Sequence, residues 1–313
     1  MKTVFMYAGQ GSQRVGMGND IYEAYPEYRE VVDNLGLDLD VKQLMSESEL
    51  EVLSQTENTQ PCMAAFAAGV TAVLKAHGIT PDAACGLSLG EYGALHAAGV
   101  FDAKDYVGIT AFRGKAMAEA AKGKECSMSA TLGMKAAQVE EACEQVNKTD
   151  EFGFVTLVNY NCPGQYVICG DEPAVAKAEE VLKEMGMKRS IRLNVSGPFH
   201  TKYMAPAAEK LQQKLEEVFF GQPQIPVVLN VTGDYYDGTS CLKENLCTQI
   251  QKGVHFEESI TRLLEDGAET FVEIGPGNTL TGFVKKTAKA CGKDVKIYTI
   301  DSVEDLEAII HGK

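Results

Sequence analysis

Ser88 lies in a pattern that would make it a nucleophile. Gly86-Leu87-Ser88-Leu89-Gly90 has the form Gly-x-Ser-x-Gly, in which a sharp strand-to-helix turn lifts a serine hydroxyl clear of a sheet. Apolar residues precede it and a helix-forming run follows it, as such a turn requires. The two glycines relieve crowding, and the backbone N–H of Leu89 would be free to stabilise an oxyanion. The alternative is a chance match to this pattern in a Gly-rich chain. The prediction of a nucleophile therefore depends on the strand before the pattern and the helix after it.

A nucleophilic serine needs a base, and histidine is the first candidate. The chain has five: His77, His96, His200, His255 and His311. His96 follows Ser88 on the same predicted helix, about 12 Å along its axis, and cannot reach the hydroxyl. His77 closes a helix, where a cationic residue has a structural role, and His311 lies in the tail. Of the other two, His200 is favoured over His255 because it lies in a Gly-Pro-rich loop on a rigid scaffold.

No acid is evident for a third catalytic position. A backbone carbonyl or an amide side chain would instead orient the imidazole of the base and fix its tautomer.

Arg113 lies within an apolar stripe of a predicted helix that runs from Phe101-Asp102 to about Ala121. Ile109, Arg113 and Met117 recur at helical spacing, so the arginine shares the inner face with apolar residues. Charged side chains are seldom buried without a partner, which suggests an anionic ligand. The alternative is an arginine that extends from the edge of the core to water.

The N-terminal strand, Thr3 to Tyr7, leads into Ala8-Gly9-Gln10-Gly11-Ser12-Gln13. A Gly-rich turn after a strand can bind an anion through its backbone. The spacing is not that of a dinucleotide-binding loop, and no acidic residue ends a second strand to hold a ribose. We therefore interpret this segment as a loop of backbone donors beside the active site.

The composition indicates which binding partners and which cellular compartment suit this chain. The chain has 313 residues and a net charge of −15, which disfavours binding to nucleic acid or to anionic membranes. Nine cysteines without Cys-x-x-Cys spacing argue against a disulfide framework or a zinc site and favour a reducing cytosol. The N-terminus does not resemble a signal peptide, and the most apolar helix, Cys62 to Ala76, is too short to span a membrane. We expect a cytoplasmic protein without a bound metal.

The order of predicted elements indicates an α/β protein of two parts. From Ser127 to Val195 the order is β-α-β-β-α-β, which is that of a ferredoxin-like unit. We predict a large domain with a parallel sheet at its core, formed by residues 1–126 and 196–313, and a small inserted domain of residues 127–195. In the second part of the large domain, Pro226 to Val231 is predicted to be a strand.

Several segments match one family in the same order along nearly the whole chain: Gly9-Gln10-Gly11-Ser12-Gln13, Gly86-Leu87-Ser88-Leu89-Gly90-Glu91-Tyr92, Phe112-Arg113-Gly114, Asn159-Tyr160-Asn161-Cys162-Pro163-Gly164-Gln165, Val195-Ser196-Gly197-Pro198-Phe199-His200 and Glu273-Ile274-Gly275-Pro276-Gly277. Together they resemble malonyl-CoA:acyl carrier protein transacylase, of fatty acid synthesis. The resemblance implies an α/β-hydrolase-like large domain with a ferredoxin-like insertion. It also implies malonyl transfer through a malonyl-serine intermediate, without a cofactor, by a protein expected to be monomeric.

The resemblance assigns a role to each matching residue. Ser88 would be the nucleophile and His200 the base, and the backbone N–H groups of Gln10 and Leu89 would form the oxyanion hole. Arg113 would bind the malonyl carboxylate. Further substrate-binding positions would be Gln249, Asn159 and Phe199, of which Phe199 resembles the malonyl-selective form of the histidine loop.

Three other functions remain to be distinguished. A serine acyl hydrolase would share the strand-to-helix turn at Ser88, which we call the elbow. However, an arginine on an inner face does not suit an apolar acyl pocket. A discrete malonyltransferase of a polyketide synthase would have the same motifs. A silent carrier-binding module would lack Ser88 or His200.

Acyl carrier proteins are strongly acidic, so docking on a chain of net charge −15 requires a local basic patch. Two clusters qualify: Lys188, Arg189 and Arg192 before the His200 loop, and Lys285, Lys286 and Lys289 on a late helix. The first is favoured because its strand leads to the active-site mouth.

Overall fold

A computed structural model of the chain describes residues 2–193 and 197–312. The strands are β1 (Thr3–Tyr7), β2 (Ala83–Gly86), β3 (Cys126–Leu132), β4 (Val155–Cys162), β5 (Gln165–Asp171), β6 (Arg189–Arg192), β7 (Val254–His255), β8 (Thr270–Ile274) and β9 (Lys296–Ile300). The α-helices are α1 (Asn19–Ala24), α2 (Pro26–Asp33), α3 (Val41–Glu47), α4 (Leu50–Leu53), α5 (Thr56–Ala76), α6 (Gly90–Ala97), α7 (Ala103–Ala121), α8 (Ala136–Asn147), α9 (Glu172–Glu184), α10 (Ala205–Glu216), α11 (Leu242–Gln249), α12 (Phe256–Glu265), α13 (Thr279–Ala290) and α14 (Val303–Ile310). A 3₁₀ turn, Lys202–Met204, follows the His200 loop.

The larger part of the molecule is built on a parallel sheet with the strand order β2-β1-β8-β9. Val4 pairs with Ala83 on one side, and Thr3 pairs with Thr270 on the other. The apolar run of β1 is buried because helices cover both faces of a parallel sheet. All strands point the same way, so the turns after β1, β2 and β8 meet at one edge. The parallel core predicted from the sequence is confirmed.

The second sheet has the order β6-β3-β5-β4-β7. Its four longer strands pair antiparallel with one another, and the elements from β3 to β6 follow the predicted order β-α-β-β-α-β. The strand β7, from the last third of the chain, pairs in parallel with β4 and thus joins this sheet to the larger part. The predicted boundary between residues 195 and 196 lies outside the described residues, and the division into 1–126, 127–195 and 196–313 stays a prediction.

Two local predictions were wrong. The helix expected from Cys62 begins at Thr56, with Pro61 inside it. Thr56, Thr59 and Gln60 are buried, and the Thr59 hydroxyl donates to the carbonyl of Leu53, so tertiary contacts outweigh the proline there.

The expected strand from Pro226 to Val231 is absent, and only Val227 and Val228 form isolated bridges. Pro226 has no N–H to donate, and the chain turns at Asn230.

Among the described residues, no helix is both long enough and apolar enough to cross a bilayer.

Candidate active site

The elbow after β2 brings Ser88 to the carboxyl edge of the parallel sheet. Ser88 has φ 54°, in the left-handed region that residues with a Cβ rarely adopt. A Cβ at Gly86 would lie 2.1 Å from the backbone of Gly90, so the turn closes only because Gly86 has no side chain. The helix α6 begins two residues after Ser88, as the Gly-x-Ser-x-Gly pattern predicts.

His200 is the histidine that meets the serine. Its Nε2 lies 2.8 Å from Ser88 Oγ, and its Nδ1 lies 2.8 Å from the backbone carbonyl oxygen of Gln249. A carbonyl only accepts, so Nδ1 carries the proton and Nε2 is free to accept one from the serine. His200 is also left-handed, with φ 60°, and is 4% exposed. The backbone carbonyl takes the place that an acid would hold in a triad.

The other histidines lie elsewhere. His96 is within hydrogen-bond distance of the carbonyl of Phe101 through Nδ1, and His255 stacks on Tyr160 at 4.4 Å between ring centroids.

The Gly9–Gln10 turn lies against the elbow. A Cβ at Gly9 would lie 2.7 Å from the carbonyl oxygen of Leu87, so the two backbones touch only because residue 9 is glycine. Gln10 and Leu89 both line the cleft in front of Ser88. Among the described residues, neither backbone N–H has a hydrogen-bond acceptor, which leaves both free for a ligand oxygen.

Arg113 is held at the floor of the cleft and is 1% exposed. One Nη donates to Gln60 Oε1 at 2.8 Å, and the other donates to Gln249 Oε1 at 3.0 Å and to Ser88 Oγ at 3.2 Å. The guanidinium lies beside the ring of Tyr92, 5.3 Å from its centroid, and its Nε has no partner among the described residues. Every hydrogen-bond acceptor of Arg113 is neutral, and the ion pairs of the described residues do not include it. A buried cation so placed can bind an anion.

The cleft has a volume of about 530 Å³ and lies between the edge of the parallel sheet and the face of the second sheet. Phe199, Met117 and Met128 contribute apolar side chains to its lining, and Asn159 and Asn161 of β4 contribute polar ones. The segment from Asn159 to Cys162 belongs to the strand β4. Phe199 and Asn159 thus both line the cleft, and their part in substrate binding stays a prediction.

The comparisons decide the family. A family described as an acyl transferase domain matches residues 4–304. The malonyl CoA-acyl carrier protein transacylase of Bacillus subtilis (strain 168) is 41% identical over 311 residues, which cover 99% of this chain and 96% of that protein. This chain belongs to the malonyl-CoA:acyl carrier protein transacylase family.

Solved structures agree with this assignment to the transacylase family. The malonyl CoA-acyl carrier protein transacylase from Clostridium perfringens has a TM-score of 0.93 at 37% identity, covering 100% of this chain and 97% of that one. A malonyl-transacylase in complex with its type II PKS acyl-carrier protein has a TM-score of 0.93 at 32% identity, covering both chains fully at 100%.

Gln249 has a different place in this transacylase from the substrate contact that was expected. It is fully buried, at 0% exposure, and does not line the cleft. Its Nε2 donates to the carbonyl of Ser88 at 2.7 Å, its Oε1 accepts from Arg113, and its backbone carbonyl holds His200. One residue thus fixes the backbone of the serine, the arginine and the imidazole.

Sequence reasoning missed three residues of the transacylase site. Gln60 holds Arg113 from α5, Asn230 binds the backbone of the elbow, and Glu91 binds the backbone N–H of Asn230. Glu91 is adjacent to the elbow pattern, but its burial shows only in the structure. Gln60 and Asn230 lie in segments assigned to other elements, and neither had a local signal.

Electrostatics favour a neutral base. Burial and the nearby Arg113 guanidinium lower the pKa of His200 to about 4, so its Nε2 is unprotonated at neutral pH. Burial raises the pKa of Glu91 to about 7, and Glu91 Oε1 has no hydrogen-bond partner among the described residues. The described residues include no group of three or more His, Cys, Asp or Glu side chains arranged to hold a metal ion.

Proposed function

We propose that this protein transfers the malonyl group of malonyl-CoA to the phosphopantetheine thiol of acyl carrier protein, for fatty acid synthesis. The observation that carries this proposal is the pairing of Arg113 with Ser88. A buried guanidinium with only neutral hydrogen-bond acceptors lies 3.2 Å from the candidate nucleophile. An acyl group that carries its own carboxylate satisfies that cation and comes to rest with its carbonyl near the serine. The name printed for the Bacillus subtilis relative supports the same substrate and carrier.

The first half-reaction forms a malonyl-serine ester. Ser88 Oγ attacks the thioester carbonyl while its proton passes to His200 Nε2. The Gln10 and Leu89 N–H groups bind the oxyanion of the tetrahedral intermediate, and losing one such donor costs about 10²–10³ in rate. The C–S bond then breaks, and the CoA thiolate takes the proton from the imidazolium. The Gln249 carbonyl holds the imidazole in the tautomer that this exchange requires.

The second half-reaction reverses the roles with a different thiol. His200 takes the proton of the phosphopantetheine thiol, whose sulfur attacks the malonyl-serine ester. The ester C–O bond breaks, and Ser88 recovers its proton from His200. The reaction exchanges a thioester for a thioester, so it needs no cofactor besides its two substrates.

Arg113→Ala tests whether the arginine selects a carboxylated acyl group. We expect malonyl transfer to fall by about 10²- to 10⁴-fold, because a carboxylate left buried without its partner costs about 3–5 kcal/mol. Acetyl transfer should fall far less, since an acetyl group has no carboxylate. The rates of Ser88 acylation from malonyl-CoA and acetyl-CoA, measured by intact mass, check this prediction.

Two further variants complete that experiment. Arg113→Lys keeps the charge but loses the two-pronged geometry, so it should recover only part of the malonyl rate. Arg29→Ala removes a guanidinium that binds the carbonyls of Tyr22 and Glu23, away from the cleft, and should leave both rates unchanged. Equal losses of malonyl and acetyl transfer in Arg113→Ala would make Arg113 structural and favour a serine acyl hydrolase.

For carrier docking we propose the surface formed by Lys188 and Arg189. Among the described residues neither forms an ion pair, and Leu193, which follows them, lines the cleft. Arg192 is excluded from this surface, because its guanidinium is paired with Glu172 at 3.0 Å and with Glu179 at 2.8 Å. The alternative cluster on α13 is also close to the cleft, since Lys286 Nζ donates to the cleft-lining Gln165 at 3.1 Å.

Charge reversal distinguishes the two surfaces. Lys188→Glu with Arg189→Glu should raise the KM for acyl carrier protein several-fold and leave acylation by malonyl-CoA unchanged, because only the second step brings an acidic protein to the cleft. Added salt should weaken carrier transfer more than acylation. Lys285→Glu with Lys289→Glu is the matched variant, and a larger effect there would move the docking surface to α13. The same assay with a polyketide carrier protein distinguishes the pathways.

We also propose that the protein acts as a monomer in the cytoplasm. All nine cysteines are free thiols, and most of them are buried, which suits a reducing compartment.

A further inference from the structure

Asn230 lies behind the elbow with its carboxamide against the backbone on both sides of Leu87. Its Oδ1 accepts the N–H of Ser88 at 2.7 Å, and its Nδ2 donates to the carbonyl of Gly86 at 2.7 Å. It is fully buried, at 0% exposure, and does not line the cleft. Asn230 therefore contacts the nucleophile's backbone and cannot touch a substrate.

Asn230 is itself held in place. Its backbone N–H donates to Glu91 Oε2 at 2.6 Å, and its backbone carbonyl accepts the N–H of His255 at 2.8 Å. Gln249 Nε2 lies 3.3 Å from Asn230 Oδ1 and also reaches the Ser88 carbonyl. These contacts restrain Asn230, so its carboxamide can in turn fix the backbone of the elbow.

The backbone that Asn230 holds is strained. Ser88 has φ 54°, a left-handed conformation that is unfavourable for a residue with a side chain. The bond to Asn230 directs the Ser88 N–H away from the cleft, which leaves the Leu89 N–H as the elbow's free donor there. The same bond sets the direction of the Ser88 side chain, and with it the 2.8 Å contact between Oγ and His200 Nε2.

We infer that Asn230 is a positioning residue for acyl transfer: its carboxamide fixes the Ser88 backbone so that the hydroxyl meets the base and the Leu89 N–H faces the oxyanion. This inference rests on the proposed function, because the orientation of Ser88 matters only if Ser88 is acylated. A reacting group misplaced by about 1 Å loses about 100-fold in rate. That loss should fall on the rate of acylation and spare the KM for malonyl-CoA.

Asn230→Asp gives a test that a merely structural role would not pass. An ionised aspartate can accept the Ser88 N–H but cannot donate to the Gly86 carbonyl, so the bridge is half lost. A protonated aspartic acid restores both hydrogen bonds in nearly the same shape. The variant should therefore acylate about 100-fold more slowly than the wild type near pH 8 and recover to within about tenfold of it near pH 5.5. Each rate is compared with that of the wild type at the same pH, so the titration of His200, whose pKa is lowered to about 4 in the free protein, affects both proteins alike.

The groups that face residue 230 require controls. Glu91 contacts it directly, and Arg113 and His200 lie beyond Gln249 and Ser88. The double variant Glu91→Gln, Asn230→Asp should keep the recovery at low pH, which assigns the proton to residue 230. Asn147→Asp is the matched control, because the Asn147 amide bridges the N–H and the carbonyl of Val155, away from the cleft, in the same manner. It should show no loss of acylation near pH 8.

The readout is the rate at which malonyl-CoA adds mass to Ser88 at saturating substrate. A pH profile of Asn230→Asp that runs parallel to that of the wild type would overturn the inference, whether the rate is high or low. A recovery that disappears in the double variant would overturn it too, because Glu91 would then be the titrating group. Failure of the wild type itself to label at Ser88 would instead contradict the proposed function.

Discussion

Ser88→Ala is expected to abolish the malonyl-enzyme. Wild-type protein exposed briefly to malonyl-CoA should gain one malonyl group, and the peptide that contains Ser88 should carry it. The hydroxyl that lies 2.8 Å from His200 Nε2 is the only protein nucleophile that the proposed reaction uses, so its removal leaves nothing to acylate. Intact mass followed by peptide mapping measures both results.

A matched serine and a competing nucleophile sharpen this experiment. Ser259→Ala removes a buried hydroxyl that donates to the carbonyl of His255, outside the cleft, and should label like the wild type. Cys85 lies on β2 close to the elbow, but burial raises the pKa of its thiol to about 12, so it is un-ionised at neutral pH. Label on Cys85 or on any other cysteine would show that the elbow serine is not the nucleophile.

His200→Ala should slow acylation by about 10²- to 10⁴-fold, the usual contribution of a general base. The substitution removes the acceptor of the serine proton and leaves the Gln249 carbonyl without its donor. Single-turnover acylation, together with circular dichroism to show an intact fold, gives the measurement. His255→Ala is the matched variant, and the assignment of the base fails if it has the larger effect.

The pH dependence of the wild type follows from the same geometry. Because the pKa of His200 in the free protein is lowered to about 4, kcat/KM should stay constant as the pH falls and decrease only near pH 4, where the base becomes protonated. A malonyl carboxylate on Arg113 offsets the positive charge that helps to lower this pKa. The decrease in kcat that follows protonation of His200 should therefore occur at a higher pH than the decrease in kcat/KM. A limb near pH 7 would belong to Glu91, and Glu91→Gln would remove it.

The sequence predicted the parts of the site that depend on local backbone geometry. The elbow needs only a strand, two glycines and a helix start, all of which lie within a few residues of Ser88. The helical spacing of Ile109, Arg113 and Met117 likewise predicted a buried face of α7, and the burial of these three residues is confirmed. His200 was predicted by elimination, because His96 lies too far along its own helix and His77 suits a helix C-terminus.

The rest of the site depends on contacts between segments that are distant in the chain. Asn230 meets Ser88 across 142 residues, and Gln60 meets Arg113 across 53. Neither contact leaves a periodic trace, because a single side chain makes it. The same limit explains the strand wrongly predicted from Pro226: the apolar run of Val227, Val228 and Leu229 suits a buried strand, but the turn at Asn230 that binds the elbow ends it. The pairing of Arg192 with two glutamates also arises only in three dimensions.

The central position of β1 constrains the order in which this protein can become functional as it is synthesised. β1 is synthesised long before its pairing partner β8, which begins at residue 270. Until then one edge of an apolar strand stays unpaired, a state that favours aggregation and requires protection. Gln249 follows Ser88 by 161 positions, so no nascent chain that ends before Gln249 holds Ser88, His200 and Gln249 together. Reactivity at Ser88 is therefore a measure of completed folding, which a serine-directed probe can follow on ribosome-bound chains of increasing length.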